Sequence, residues 1–291
     1  MIFGEIDSAL SIFERVRTWL TRKEITPDDN VASRLVRVFQ AHGVYRNQIP
    51  RLLRHPLTWA NIKDDETLLA NLTDELLDAV ANLFAIRREW LEGASEQIYP
   101  LHDFYKRPEL FVDFIEQLRS QNTNTIQGVL LVGHSSRQEE DALIVLEETI
   151  GTLGEMSFCR YHLCNNWIFR YWKARAYLTA VVASAWRRKI HLFGRKVPIE
   201  RIRDYREGKK FLEYAFDSAL PVQGEPWYPE DMAIHPHCFL DGLDEGNYGH
   251  SEGLELWLEL ESRGIMDTGL AYAGIRDAFA DVYAAALQWQ K

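Results

Sequence analysis

Between Val31 and Lys63 the chain places Arg34, Arg37, Arg46, Arg51, Arg54 and Lys63, and not one Asp or Glu. Guanidinium and ammonium groups gathered without a counter-charge favour phosphate, because neutralising a polyanion releases its condensed counterions. The chain as a whole has a formal charge of −10, so six unopposed cations here leave −16 on the remainder. A local positive field of this kind draws a polyanion to one face despite the net charge.

Three other groupings have residue types that do chemistry. The stretch 234–250 (IHPHCFLDGLDEGNYGH) contains His235, His237, Cys238, Asp241, Asp244 and His250. His-x-His-Cys on an extended strand offers alternate residues to one face and so two or three ligands to Zn²⁺. Zinc signatures usually have two separated ligand pairs, and this is one tight group, so no metal is expected. GVLLVGHSS (128–136) ends a buried strand in Gly133-His134-Ser135-Ser136 but lacks the G-x-S-x-G spacing and a P-loop lysine, and reads as a strand-terminating turn. Residues 156–210 carry fourteen Arg and Lys against three acids, while 211–291 carry fifteen acids against three cations. The simplest expectation is that these two stretches pack together and neutralise each other. The alternative is a second nucleic-acid surface or a phosphorylated-ligand pocket on the helix 171–189, with Trp172 and Tyr177 for stacking. No carboxylate pair with a recognisable partner and no dinucleotide fingerprint occur, so the chain is not expected to be an enzyme or to hold a cofactor.

At 291 residues, 46% hydrophobic and 12% aromatic, the chain can bury a substantial core, and two domains are expected. No apolar run approaches the roughly 18 residues that span a bilayer, and MIFGEIDSAL is acidic too early for a signal peptide. Cys159, Cys164 and Cys238 are an odd number, which fits free thiols in a reducing cytoplasm. These features predict a cytoplasmic protein with no membrane association.

The elements that must position these groups follow from periodicity. Ile6, Leu10, Phe13, Val16 and Leu20 predict an amphipathic helix over 5–22, followed by a capped linker, TPDDN. Helices are expected over 31–42, 46–53 and 59–64, the last with Thr58 as its N-cap, and two more follow from Leu68, ending near Gly93. IYPLH (98–102) reads as the linker to a second region. That region carries a helix over 108–120, three strands within 128–164, a long helix over 171–189, a strand and helix over 190–210, and helix after about 268. LELWLELE (254–261) fits either strand or helix.

Residues 33–93 resemble the Cro/C1-type helix-turn-helix domain. ELLDAVANLFAIRREWLEG (75–93) is similar to that family's final helix, Gly43 stands at its first turn, and Ile49 and Leu53 match the positioning helix. Thr58 and Ile62 match the cap and buried aliphatic of its recognition helix. The resemblance implies that Trp59, Asn61 and Lys63, with Ala60, face a major groove, where Asn pairs with adenine through two bonds. It also implies that Arg34, Arg37, Arg46, Arg51 and Arg54 contact phosphate. The sequence departs from the pattern at Pro50 and in the longer turn at 54–56, and Asp64-Asp65-Glu66 follow closely.

The expected architecture is therefore multidomain α+β: a helix and linker over 1–30, a helix-turn-helix-like bundle over 31–97, and a mixed α/β domain over 98–291. The expected function is transcription regulation by a homodimer that binds double-stranded DNA, its second domain sensing a small-molecule effector or driving assembly. The alternatives are an interaction scaffold that uses the bundle for docking, and an enzyme with a site the sequence does not advertise.

Overall fold

The computed structural model describes residues 30–53, 56–121, 125–134, 141–212, 222–244 and 249–288. The helix expected over 5–22, Arg54, and Ser135-Ser136 lie outside them.

The first layer is helical. Asn30 Oδ1 accepts from the Ser33 amide at 2.9 Å and starts α1 (Val31–Ala41), which buries Leu35, Val38 and Phe39 and ends where Gly43 takes φ +80°. A 3₁₀ turn, Arg46–Gln48, runs into α2 (Ile49–Leu52). Pro50 falls in the first turn of α2, where its missing N–H has no intrahelical bond to lose. Next come α3 (Asp65–Leu69), α4 (Asp74–Phe84) and α5 (Arg88–Leu91). Thr73 Oγ1 caps α4 by accepting from the Leu76 amide at 3.2 Å.

The helix expected over 59–64 does not form. Residues 59–62 are a turn, and the cap belongs to Asp64, whose Oδ1 accepts from the Thr67 amide at 2.7 Å to open α3. Thr58 instead donates its backbone N–H and hydroxyl to Asn61 Oδ1, at 2.8 and 2.6 Å. Asx side chains that bond backbone in this way stabilise turns in competition with helix.

The second layer is a six-stranded sheet: β1 (Leu101–Asp103), β2 (Ile126–His134), β3 (Asp141–Leu153), β4 (Met156–Ile168), β5 (Leu192–Pro198) and β6 (Glu225–Trp227), in the order β1-β4-β3-β2-β5-β6. β2–β3, β3–β4 and β5–β6 are antiparallel, whereas β1–β4 and β2–β5 are parallel, so β1, β2, β4 and β5 all point the same way. Val129 and Leu131 of β2 face the helical layer, and Leu130 and Val132 face the other side. Burial on both faces explains the unbroken apolar runs GVLLV and ALIVL.

On that other side lie α6 (Pro108–Gln121) and α7 (Trp172–Arg187). α8 (Ile199–Arg206) returns to the bundle side, where Ile202 is buried. Two short helices, α9 (Asp231–Ile234) and α10 (Pro236–Leu240), precede α11 (Gly249–Ser262) and α12 (Ile275–Gln288), which pack on α7 around Trp257 and Phe279. Those two rings stack 3.6 Å apart. LELWLELE is thus helix: Leu254, Trp257 and Leu260 are buried at helical spacing.

The expected linker at 98–102 is not a free connection: Ile98 and Tyr99 are buried, and Leu101 and His102 belong to β1. Ile98 and Tyr99 belong to an apolar cluster that runs without a break from Leu35, Phe39 and Phe84 of the bundle to Leu131, Val145 and Tyr161 of the sheet. Both backbone amides donate to Gly208 O, at 2.7 and 3.0 Å. The expected mutual neutralisation of 156–210 and 211–291 is carried by Arg187–Asp267 at 3.5 Å, but the basic stretch draws its other partners widely: Arg160 from Glu148, Arg188 from Glu116, Arg206 from Asp141. The acidic helices α11 and α12 pair internally through Arg276–Glu261. Cys159, Cys164 and Cys238 are free thiols.

Candidate nucleic-acid interface

The basic block of the bundle does not act as one face. Arg34 is buried; its Nη1 donates to Trp90 O at 2.7 Å and its guanidinium lies 5.2 Å from the Trp90 ring centre. It ties α1 to α5, which corrects its assignment as a phosphate contact: a side chain closed into the bundle does not reach a ligand. Arg37 is exposed on α1 and does not line the groove described next.

Arg46, Arg51 and Lys63 do come together. With Asn47, Gln48, Trp59 and Ile62 they line an open groove of about 610 Å³ between α2 and the turn at 59–62. Arg46 builds its wall. Its Nε donates to Ile62 O at 2.6 Å and its Nη1 pairs with Asp65 at 2.7 Å, while its Nη2 is buried with no hydrogen-bond partner among the described residues. Arg51 is exposed, and Lys63 stands 3.7 Å from Asp64. The Thr67 hydroxyl and amide hold the Asp64 carboxyl below its ordinary range, keeping that acid ionised beside the groove.

Trp59 is 69% exposed, yet it is not adrift: its Nε1 donates to Asn47 O at 3.1 Å. Asn61 is bonded locally: its Oδ1 accepts twice from Thr58, and its Nδ2 donates at 2.9 Å to Asn71 Oδ1, just beyond α3. Asn47 and Gln48, which line the groove, carry no signal in the sequence. Their place follows from the 3₁₀ turn folding against residues 59–62.

The cluster 235–250 is not on an extended strand. His235 joins α9 to α10, and His237 and Cys238 lie within α10. Among the described residues no three His, Cys, Asp or Glu side chains converge on a metal position. Instead His237, Cys238, Asp241 and His250 line a second cavity, of about 1050 Å³, with Val132, Phe169, Arg175, Lys196, Trp227 and Tyr228. It opens toward the carboxyl ends of β2, β4 and β5, the edge at which sheets with parallel strands gather ligands. Arg175 is buried in its wall and donates to Phe169 O, Phe239 O and Asp241 O at 2.9–3.1 Å, which fixes α10 against α7. The sequence did not mark Arg175, Lys196 or Trp227 because only the strand order brings them together.

A third polar group is structural in form. Glu148, wholly buried on β3, accepts from Arg160 Nε and Nη2 and lies 3.0 Å from His162 Nε2. Arg160 also donates from Nη1 to Asn82 O of α4, joining sheet to bundle. Burial holds the His162 imidazole below its ordinary value.

The chain matches no family model, no curated protein and no solved structure.

Proposed function

We propose that this protein binds nucleic acid through the groove of its helical layer, and that it acts as a regulator whose α/β layer takes a small-molecule effector or mediates self-assembly. The observation that carries the reading is the convergence of Arg46, Arg51, Lys63 and Trp59 on one concavity. Cations supply sequence-independent affinity for phosphate, and an exposed aromatic beside them supplies a surface for bases. The 1050 Å³ cavity supports the sensing role: it is of ligand size and lined by apolar side chains together with charged and polar ones such as Lys196, Asp231 and His237.

The test is retention of genomic DNA fragments, both duplex and heat-denatured, by the full-length protein at two salt concentrations, with sequencing of what is held. Retention that weakens with salt, and weakens further in Arg51→Ala, supports the reading. No retention at either salt overturns it and leaves the groove as a docking surface for protein.

A further inference from the structure

We infer that the groove takes unpaired nucleotides of single-stranded DNA, stacked on Trp59, in place of the edge of a duplex. This rests on the nucleic-acid reading above and deepens it.

Reading a major groove needs a helix or a two-stranded ribbon with base-reading side chains at its leading edge. Among the described residues the groove borders only the four-residue α2, and no two-stranded ribbon. Residues 59–62 are a turn, and α3 beyond them has five residues and begins with Asp65 and Glu66. Those acids, with Asp64, would meet the phosphates of any duplex that docked α3. Asn61, the side chain suited to pairing with adenine, has its amide oxygen and nitrogen both engaged, by Thr58 and Asn71.

What the site does offer is an indole held in place and left open. The Trp59 N–H is anchored on Asn47 O, and most of the side chain remains in solvent. A large apolar ring at 69% exposure, fixed by one edge, loses little conformational freedom when a base lies on its face. Every base has such a face, so the contact tolerates sequence. Arg46, Arg51 and Lys63 line the same groove as the ring, where a flexible sugar–phosphate chain can follow them. A duplex keeps its bases stacked on one another and cannot lay one on Trp59 without breaking that stack, whereas a single strand has nothing to break.

The experiment measures anisotropy of a labelled dT oligonucleotide and of a blunt duplex of equal length with the full-length protein, across salt. The single strand is expected to bind more tightly. Its log affinity should fall with log salt at a slope between about −0.7, from Arg51 alone, and about −2, if Arg46 and Lys63 exchange Asp65 and Asp64 for phosphate. Trp59→Ala should weaken single-strand binding by about 5- to 150-fold, and Trp59→Phe should retain most of it. Because the ring is exposed, both variants should fold, which circular dichroism and a thermal melt verify. An RNA strand bound with the same dependence on Trp59 supports the stacking chemistry. Tighter duplex binding that is indifferent to Trp59→Ala overturns this inference and leaves the nucleic-acid reading standing. Binding of neither probe overturns both.

Discussion

Glu148 on β3 and Arg160 on β4 face each other across the strand pair, and the guanidinium grips the buried carboxylate through two bonds, at 2.6 and 2.9 Å. Removing one partner leaves an uncompensated charge in the interior, at a cost of about 3–5 kcal/mol. Glu148→Gln and Arg160→Met are each expected to lower the urea midpoint strongly, while the double variant loses less than the sum. Additive losses would mean the pair does not act as a unit.

His42 predicts an acid limb in stability. It is fully buried against Phe84 and Tyr161, and its Nδ1 donates to Val38 O at 2.7 Å, so Nε2 is the unprotonated nitrogen, and it has no partner among the described residues. Burial pushes its pKa down to about 4 from 6.5. The unfolded chain therefore takes up a proton first as pH falls. The stabilisation is complete above about pH 6.5 and is lost between there and pH 4, by up to roughly 3 kcal/mol. His102, also pushed down to about 4 by burial and then by His162, adds in the same direction. His42→Phe should flatten this limb in denaturant titrations run from pH 7 to pH 4. An unchanged pH profile would show that His42 titrates normally.

Asn61→Ala separates the structural role of this amide from a base-reading one. Loss of three bonds to Thr58 and Asn71 is expected to cost about 1–2 kcal/mol in a thermal or urea melt. Preference among DNA sequences should not change at any single base pair. An unaltered melt with relaxed specificity at one position would support the base-reading assignment.

Gly194 of β5 is held to glycine by Trp227. A Cβ at Gly194 would lie 2.5 Å from the Trp227 carbonyl oxygen and 2.6 Å from its indole. Gly194→Ala should therefore push β6 away, at about 1–3 kcal/mol, and loosen the cavity wall that Trp227 forms. Hydrogen exchange at residues 225–228 should accelerate in the variant, and no change there would place the strain elsewhere.

Much of the secondary structure was legible because one face of each element repeats. The apolar runs of β2 and β3, the strand MSFCRYHLC, and the spacing of Leu35, Val36 and Phe39 each name their element without help from the rest of the chain. The misreadings have a different origin. IYPLH looked like a linker because the partners that bury Ile98 and Tyr99 are distant in the chain: a carbonyl at Gly208, which takes φ +67°, and the bundle-facing side of the sheet. Thr58 looked like a cap because the rival oxygen, on Asp64, sits one turn further along. Of the groove, Arg46, Arg51, Trp59 and Lys63 were visible as residue types, but Arg34 could not be told from them: its removal from the surface depends on Trp90, 56 positions away.

The continuous core beneath the helical layer means that this layer is not a portable cassette. His42, packed on Phe84, rests on Tyr161 and Phe211, Tyr99 meets Phe211, and Arg160 reaches up to Asn82. A fragment cut after Gly93 would open Phe39 and Phe84 to water on one side and Leu131 and Val145 on the other. The groove is thus a property of the intact chain: it is inherited, transplanted or lost only together with the sheet on which it is built.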